Sequence, residues 1–574
     1  MMFPFRATAR RLTAWLAAIL IGACGLAPLR SKPASAATRL PPRLVVLIVF
    51  DQMRADYQER WKDLFTEGGF RRLQSEGAWF QNCNYPFAYT FTGPGHASLA
   101  TGYSPRTHGI INNEWYDRAS HAIVGCVENP RFGASGKPSG KTASPERLMS
   151  PAFADRIKEA TGGRAQVVSL SIKDRSAVLL GGHRADVCCW LDGDTGTFTT
   201  SGYYRGGLPG WVADFNRVRP ADAWLGRSWE RLLPQLDYTQ RSGPDDVVGE
   251  GFAKGQGRTF PHALGAGSMK PGKAYYQALY ASPFENELLL QLASRGIDAG
   301  KLGQHADPDV LCISFSCTDS VGHVWGPDSQ EVLDVTLRAD RIMRDLLAHL
   351  DARVGRGAYL MVVSADHGVC PLPEVSRAAG RDAGRIDPKL LASRADAFLG
   401  EKFGKPAGPA QWIEGGGEAL PWFYLNQRLI RERGLQSTAV ENALADWLKR
   451  QPGIQTAYTR TQLTAGIPDT DPLGRQVQLS FYRDRSGDVG VVVKPYYIIW
   501  SAFPGTGTTH GSPHPYDTHV PFFVFGSKVV AGVRRDAVIP QAAAPIMLDA
   551  LDIPAPRDTE AAAPGGLWQG EGKR

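Results

Sequence analysis

The chain has 574 residues, of which 43% are hydrophobic and 21% are charged, and its formal net charge is +7. The length suffices for a large core and more than one lobe, and the composition excludes a disordered or fibrous protein. Five of the positive charges lie in the first 36 residues, which contain no acid: Arg6, Arg10, Arg11, Arg30 and Lys32. The rest of the chain is close to neutral, so bulk charge gives no reason to expect a nucleic-acid partner.

Residues 1–36 have the pattern of a secretory signal peptide. Arginines precede an apolar stretch at residues 12–26, and residues 34–36 (Ala-Ser-Ala) offer a small-residue cleavage site. The apolar stretch is too short for a stable membrane span, and no later segment reaches about 18 uncharged apolar residues. We therefore expect an exported protein, periplasmic or extracellular. Lipid attachment at Cys24 is an alternative way of processing the leader.

Short apolar runs alternate with amphipathic stretches along most of the chain. The apolar runs predict buried strands at residues 44–50, 165–171, 310–315, 359–364 and 520–525. One apolar face from Val332 to Leu350 predicts a helix. This alternation predicts an α/β fold with a doubly wound, mostly parallel central sheet and helices on both faces.

Two segments interrupt the alternation. Residues 206–282 are rich in Gly, Pro and Trp and show little periodicity, which predicts an inserted, loop-rich lobe. Residues 371–497 form a second insertion, and both insertions should cap the catalytic edge of the sheet. The catalytic core is then divided into residues 40–205, 283–370 and 498–555. The tail, residues 556–574, is polar, rich in Gly and Pro, and expected to be mobile.

Six aspartates and histidines, residues that commonly bind metal ions, lie mostly just beyond the predicted strands: Asp51, Asp319, His323, Asp366, His367 and His510. In an open α/β sheet, ligands bind beyond the carboxyl ends of the strands, so these side chains should meet at one edge. Carboxylates and imidazoles gathered there need cations, and we predict two divalent metals. Nitrogen and oxygen ligands without thiolates suit zinc, with manganese as an alternative.

Local spacing supports this grouping. Asp319 and His323 are four residues apart, which places them on one face of a helical turn. Asp366 and His367 are adjacent, so they converge only at a sharp bend after the strand. His510 lies in a Gly-rich loop that can fold over the site. Taken singly, each residue has an ordinary structural alternative, such as a helix cap or a surface ion pair.

Four other residues suit the binding or transfer of a phosphoryl group. Thr92 precedes a predicted helix, where its hydroxyl would face a position that favours anions; it can be a nucleophile or simply an N-cap. Asn113 can donate an N–H to a phosphoryl oxygen, or it can be a turn residue. Lys173 and Arg175 follow a strand end and can reach a dianionic phosphate together, or can form a solvated charged turn.

Eight short segments carry a family pattern: 45–54 (VVLIVFDQMR), 90–98 (TFTGPGHAS), 108–117 (HGIINNEWYD), 169–176 (SLSIKDRS), 316–327 (SCTDSVGHVWGP), 364–368 (SADHG), 507–510 (GTTH) and 516–521 (YDTHVP). In content and order they resemble the alkaline phosphatase superfamily, and specifically the bacterial exported alkaline phosphatases with a threonine nucleophile. The resemblance covers most of the chain.

The resemblance implies an activity and a role for each candidate residue. It implies hydrolysis of phosphate monoesters, with in-line attack by Thr92 and a phosphothreonine intermediate. The ligands of the two zinc ions would be Asp319, His323 and His510 for one, and Asp51, Asp366, His367 and the Thr92 oxygen for the other. The non-bridging phosphate oxygens would be bound by Asn113, Lys173 and Arg175.

Related activities are separated by the same residues. Sulfatases of the superfamily need a Cys/Ser-x-Pro-x-Arg motif, which the segment around Thr92 lacks. Phosphodiesterases and nucleotide pyrophosphatases share the metal ligands but generally lack a Lys-x-Arg pair, so Lys173 and Arg175 favour monoesters. A phosphodiesterase remains the first alternative, and a phosphate- or metal-binding module without turnover the second.

The expected partners are small phosphate monoesters, and a monomer is favoured. Calcium or magnesium can bind elsewhere, although the chain has no EF-hand pattern. Seven cysteines follow the leader region, and Cys83 with Cys126 is a candidate disulfide pair in an oxidising compartment.

Overall fold

A computed structural model describes residues 41–135, 142–204, 207–252, 255–265, 270–500 and 505–570. The predicted leader, with its cleavage site and Cys24, lies outside the described residues.

A ten-stranded sheet runs through the protein. In spatial order its strands are Gly532–Arg534, Ala78–Phe80, Phe522–Gly526, Tyr359–Ser364, Leu44–Phe50, Asp309–Phe315, Val167–Ser171, Val187–Asp192, Thr197–Ser201 and Ala134–Ser135. The five strands from Tyr359–Ser364 to Val187–Asp192 are parallel, and antiparallel partners flank them on both sides. The predicted α/β fold with a mostly parallel central sheet is confirmed.

The central strands are buried along their whole length. All seven residues of Leu44–Phe50 and all seven of Asp309–Phe315 are buried. A parallel strand with helices on both faces has no solvent-facing side, which is why these segments are continuous apolar runs in the sequence. Phe50 and Phe315 stack with ring centroids 5.2 Å apart, at the end of the sheet from which the site residues follow.

Helices connect and cover the strands. In chain order they are Tyr57–Arg60, Phe70–Glu76, Thr92–Thr101, Pro105–His108, Phe153–Ala160, Asp174–Gly181, Gly210–Arg217, Tyr238–Ser242, Lys273–Tyr280, Phe284–Ala299, Cys317–Trp325, Gln330–Leu350, Pro373–Ala378, Pro388–Phe403, Gln427–Glu432, Ser437–Leu448, Arg460–Ala465, Pro472–Leu479, Pro515–Thr518 and Ala543–Asp549. Within the described ranges, no helix is both long enough and apolar enough to cross a bilayer.

The segment 206–282 packs against the central core, and it includes the helices Gly210–Arg217 and Lys273–Tyr280. Trp229 is fully buried, and its Nε1 donates to Asp334 Oδ2 at 2.7 Å, which fastens the segment to the helix Gln330–Leu350. The segment has more regular structure than its low periodicity indicated, because its tryptophans supply the anchoring contacts.

The segment 371–497 contains most of a second apolar cluster. A four-stranded sheet, formed by Ile413–Glu414, Trp422–Leu425, Val489–Val493 and Ile454–Thr459, lies at its centre. Buried side chains such as Leu399, Val440 and Leu444 pack into this cluster.

Two expectations from composition are corrected by the structure. Residues 556–570 pack on the body of the protein, with Leu567 and Trp568 buried, so this part of the tail is not a free segment. The cysteines Cys83 and Cys126 are both free and buried, and do not form the candidate disulfide. Cys83 forms an isolated backbone β-bridge with Val538. The Cys126 amide donates to the Asn113 carbonyl at 2.8 Å, so the two cysteines lie in different loops.

Candidate active site

Three buried carboxylates meet beyond the carboxyl ends of the central strands. Asp51 directly follows the strand Leu44–Phe50, and Asp366 comes two residues after Tyr359–Ser364. Asp319 lies in the first turn of the helix Cys317–Trp325, which follows the strand Asp309–Phe315. Because these strands are parallel and adjacent, their ends bring the three side chains to the same edge.

The structure brings the six predicted metal ligands into one cluster. Three groups have ligand atoms within 4.8 Å of one another: Asp319 with His323 and His510, Asp51 with Asp319 and His367, and Asp51 with His96 and Asp366. In the first group, Asp319 Oδ1 is 3.2 Å from His323 Nε2 and 3.7 Å from His510 Nε2. The rings of His367 and His510 stack with centroids 3.5 Å apart, which joins the groups.

Each of the three predicted histidine ligands is oriented by a backbone carbonyl. His323 Nδ1 lies 2.8 Å from the Thr508 oxygen, His510 Nδ1 lies 2.8 Å from the Thr90 oxygen, and His367 Nδ1 lies 2.9 Å from the Gly368 oxygen. A carbonyl only accepts, so each Nδ1 carries the proton. In the neutral ring, each Nε2 then presents a lone pair to the carboxylates, as in metal sites whose histidines are held from behind.

Contacts around His367 bring together groups that only accept hydrogen bonds. His367 Nε2 is 3.6 Å from Asp51 Oδ1 and 3.2 Å from Asp366 Oδ2. Both carboxylate oxygens are buried, and neither has a hydrogen-bond donor among the described residues. These short distances are therefore not hydrogen bonds of a neutral imidazole. Acceptors this close together need positive charge, which either a proton on His367 Nε2 or a bound metal ion can supply, and the groups of ligand atoms around them fit a metal ion.

The pKa values show the same demand for positive charge. Burial disfavours a charge on His367, but Asp366 and Asp51 raise its pKa to about 9. Burial, Asp319 and Asp366 raise the pKa of Asp51 to about 7. Burial alone would also raise the pKa of Asp319, yet Lys173 and His323 hold it well below its usual range. The carboxylates repel one another, and a nearby positive charge stabilises their ionised forms.

Thr92 begins the helix Thr92–Thr101 and is 1% exposed. Its Oγ1 lies 3.4 Å from His367 Nε2, within reach of the same cation. The next amide, of Gly93, donates to Asn113 Oδ1 at 2.7 Å. Because Asn113 Oδ1 already accepts this hydrogen bond, the Nδ2 of Asn113 is the group that can donate to a ligand.

Lys173 and Arg175 lie close to the carboxylates. Lys173 Nζ donates to Asp51 Oδ2 at 2.6 Å and to Asp319 Oδ2 at 2.5 Å, a pairing that the sequence did not predict. An ammonium has three donors, so one remains for another acceptor. Arg175 Nε is buried and has no hydrogen-bond partner among the described residues. A buried guanidinium N–H without a protein acceptor can donate to a bound anion.

A family model for type I phosphodiesterase / nucleotide pyrophosphatase matches residues 45–516. The chain belongs to this family. Alkaline phosphatase PafA of Elizabethkingia meningoseptica is 33% identical over 496 residues, covering 86% of this chain and 88% of the relative. Alkaline phosphatase PhoV of Synechococcus elongatus is 32% identical, covering 86% of each chain. The crystal structure of wild-type PafA matches with a TM-score of 0.84 and 32% identity, over 92% of this chain and 99% of that one.

These relatives confirm the resemblance to the alkaline phosphatase superfamily and the expectation of a hydrolase of the alkaline phosphatase type. The region of this chain that matches the family model runs from the strand before Asp51 to the residues after His510. It therefore contains every residue that the sequence predicted for the site.

Two site residues of this family member were missed in the sequence. His96 Nε2 contacts Ser314 Oγ at 2.8 Å, and its Nδ1 lies 2.9 Å from the Thr92 oxygen and 3.2 Å from Asp366 Oδ2. Its position four residues after Thr92, on the same helix face, was an available signal. Gln52 donates from its amide to Asp366 Oδ1 at 3.0 Å and from Nε2 to Asp319 Oδ1 at 2.7 Å. No residue pattern signals that role.

A cavity of about 450 Å³ opens onto the site. Asn113, Arg175, His323 and His510 lie on its inner wall, and residues from the segment 371–497, such as Lys389 and Leu420, form its outer wall. A phosphoryl group bound at the metal ligands would thus be reached through a space bordered by the second insertion.

Proposed function

We propose that this protein is an exported phosphatase that hydrolyses phosphate monoesters through a phosphothreonine intermediate at a site with two zinc ions. The alkaline phosphatase names of its relatives support the reaction class. The remaining support comes from the residues around Thr92.

The donor atoms fit two metal ions. Asp319, His323 and His510 offer one set of nitrogen and oxygen ligands. Asp51 and Asp366, whose carboxylate oxygens lie 3.6 Å and 3.2 Å from His367 Nε2, offer the other set together with His367. The described cysteines are all buried and free and none belongs to these groups, so the set has the hardness of a zinc or manganese site, and zinc suits it best. When bound, zinc lowers the pKa of a coordinated hydroxyl and neutralises charge on the attacking and leaving oxygens.

Thr92 is the nucleophile in this proposal. Its Oγ1 is buried beside His367 and sits at the first turn of a ten-residue helix, whose N-terminal dipole stabilises negative charge. Attack on phosphorus forms the Thr92 Oγ1–P bond and breaks the bond to the leaving oxygen on the opposite side. In this first step the hydroxyl proton of Thr92 passes to the leaving oxygen, which departs as the alcohol. Water then attacks the phosphothreonine in line and releases phosphate, and one water proton goes to Thr92 Oγ1 while the other leaves with the phosphate.

Hydrogen-bond donors near the site favour a monoester over a diester as the substrate. Arg175 Nε and the third N–H of Lys173 Nζ can each donate to a ligand oxygen, and Asn113 can donate from Nδ2 because its Oδ1 already accepts from Gly93. A monoester dianion has three non-bridging oxygens and two negative charges for such donors. A diester has two non-bridging oxygens and one charge, so part of this donor set would stay unsatisfied. Buried unsatisfied donors cost free energy, which favours monoesters.

Hydrolysis of a matched pair of aryl esters tests the substrate class. We expect zinc-loaded protein to hydrolyse a nitrophenyl phosphate monoester with a kcat/KM far above that for the bis-nitrophenyl diester. Substitution Arg175→Met should lower the monoester value by about two orders of magnitude, the cost of a lost charge-assisted hydrogen bond, and the diester value by less. A diester preference in the wild type would instead favour a phosphodiesterase.

Replacement of the nucleophile tests the covalent step. Thr92→Ala should abolish turnover and leave two zinc ions per chain by elemental mass spectrometry, because the six protein ligands remain. Thr92→Ser is the matched control and should retain turnover, since it keeps the hydroxyl. Full activity of Thr92→Ala would overturn the phosphothreonine intermediate.

Export is proposed from residues 1–36 alone. Expression of the full chain in a Gram-negative host should yield a mature protein that begins at Ala37, measured by intact mass after cell fractionation. A lipid-modified N-terminus at Cys24 would show the alternative processing. Cytoplasmic protein that keeps Met1 would overturn export.

A further inference from the structure

Asp517 contacts the chain next to two of the candidate metal ligands. Its backbone oxygen accepts from the Gly368 amide at 2.8 Å, one residue after His367. Its side-chain Oδ2 accepts from the Ser512 amide at 2.8 Å and from Ser512 Oγ at 2.5 Å, two residues after His510. One residue therefore links the bend that carries His367 to the loop that carries His510.

The contact with the His367 bend is made by backbone atoms. The Val369 amide donates to the Tyr516 oxygen at 2.9 Å, which adds a second hydrogen bond beside that of Gly368. A Cβ added at Gly368 would lie 2.1 Å from the same Tyr516 oxygen. A shift of either backbone would leave these buried amides unpaired, so the turn that carries Asp517 is fixed relative to the bend.

The contact with the His510 loop depends on the Asp517 side chain. Asp517 is 1% exposed and Ser512 is 5% exposed, so their hydrogen bonds are shielded from water, which strengthens them. Only Gly511 lies between Ser512 and His510, and a Cβ added there would be 2.5 Å from the Phe91 ring. The Phe91 ring also contacts the His510 imidazole, with centroids 5.7 Å apart. The position of Ser512 therefore restricts where the His510 ring can lie.

Asp517 belongs to none of the groups of candidate ligand atoms in the part of the chain that the structure describes. Any effect of Asp517 on a metal ion would therefore pass through His510, which shares a group with Asp319 and His323. The stacked rings of His510 and His367 join this group to the other ligands. A displaced His510 would thus open the group to which it belongs.

We propose that Asp517 is a positioning residue for one of the two zinc ions, because its carboxylate holds His510 in a fixed place relative to His367. This inference rests on the two-zinc site of the proposed function. Removal of the carboxylate should loosen the zinc ion that His510 binds and leave the other in place, since the backbone contact between Asp517 and Gly368 does not need the side chain.

The zinc affinity of Asp517→Ala tests the inference by competition with a chelator. The wild type should hold two zinc ions tightly. In Asp517→Ala one of the two should bind about 10- to 100-fold more weakly, the usual effect of losing a contact that orients a metal ligand. Asp517→Asn should keep both, because its side-chain oxygen can still accept from Ser512. Equal affinities in the wild type and Asp517→Ala would overturn the inference alone, whereas a wild type that binds no zinc would overturn the proposed function as well.

Asp340→Ala is the matched control for lost stability. Asp340 Oδ2 accepts from the Thr66 amide and from Thr66 Oγ1, both at 2.8 Å, which is the pattern that Asp517 makes with Ser512. Asp340 is buried and belongs to no candidate ligand group among the described residues. This variant should have a lower Tm and the zinc affinity of the wild type. An affinity lowered as much as in Asp517→Ala would assign the loss to general destabilisation and overturn the inference.

A double substitution tests whether Asp517 acts through His510. His510→Ala should weaken the same zinc ion, and Asp517→Ala added to it should lower the affinity no further, because the ligand that Asp517 orients is gone. Additive losses would overturn the inference. If Asp517→Ala does not fold, Ser512→Ala replaces it. That variant loses one of the two hydrogen bonds, so the zinc affinity should fall about fivefold, and an unchanged affinity would overturn the inference.

Discussion

Gln52 holds two of the three site carboxylates from a single position. Its backbone N–H donates to Asp366 and its side-chain amide donates to Asp319. Its φ of 68° is in the left-handed region, which costs a residue other than glycine about 1 kcal/mol or more. The contacts to both carboxylates are what the strained conformation makes possible, so the residue is a positioning residue for the metal ligands.

Gln52→Gly is therefore expected to weaken zinc binding without breaking the fold. Glycine tolerates the backbone angle but removes the contact to Asp319, and loss of such an outer contact typically lowers metal affinity by about 10- to 100-fold. The measurement is a competitive titration with a zinc chelator. Lys301→Gly is the control, because Lys301 is exposed and has a φ of 48° far from the ligands in sequence. Equal zinc affinity in both variants would contradict this role of Gln52.

The helix Thr92–Thr101 touches the bend that carries Asp366 and His367. All ten of its residues are buried. A Cβ added at Gly95 would lie 2.2 Å from the Asp366 carbonyl oxygen, a backbone atom that cannot move without moving the ligands. Gly95 thus sets the distance between Thr92 and the metal ligands through backbone contact alone.

Gly95→Ala should lower both stability and metal content. Insertion of a methyl group against backbone costs about 3 kcal/mol, at the upper end of the range for overpacking. We expect a lower Tm by scanning calorimetry and less than two zinc ions per chain. Gly210→Ala is the control, since Gly210 is also in a helix and its added Cβ meets no atom within 4 Å. A wild-type Tm and zinc content in Gly95→Ala would show that the helix can shift freely.

At the scale of the whole molecule, the C-terminal residues 556–570 contact elements of the core that are far apart in sequence. Tyr103, just after the helix Thr92–Thr101, donates to Asp558 at 2.8 Å. Trp568 donates to Asp549, on the helix Ala543–Asp549, and bridges to Val529 at the edge of the sheet. The C-terminal segment therefore ties together parts of the core that lie far apart in sequence.

Trp568→Ala is expected to destabilise the protein and leave its chemistry intact. Removal of a buried tryptophan costs about 3–5 kcal/mol, and Trp568 is only 4% exposed. Urea unfolding should show the loss, while kcat/KM for an aryl phosphate at 25 °C stays at the wild-type value. The neighbouring exposed Gln569, substituted by alanine, should change neither. Unchanged stability of Trp568→Ala would mean that the tail is not part of the folded core.

The sequence allowed prediction of the central strands, and of the edge where the candidate metal ligands meet, for a physical reason. Parallel buried strands are continuous apolar runs, and Asp51 and Asp366 follow such runs within two residues. The role of Gln52 comes from its backbone angle, which no residue pattern reveals. The salt bridges of Lys173 to two carboxylates depend on three separate strand ends, and the burial of Leu567 and Trp568 depends on tertiary packing that a Gly/Pro-rich composition conceals.

The carbonyl groups behind His323, His510 and His367 belong to the backbone, so every amino acid at those positions would supply them. The aim of the imidazoles is thus insensitive to which side chains occupy Thr90 and Thr508, and sensitive to how many residues the loops contain. Point substitutions in these loops should therefore leave the imidazoles in place, whereas one inserted or deleted residue between Gly505 and His510 would move His510 away from the other ligands. The length of this loop constrains the site more than the identity of its side chains does.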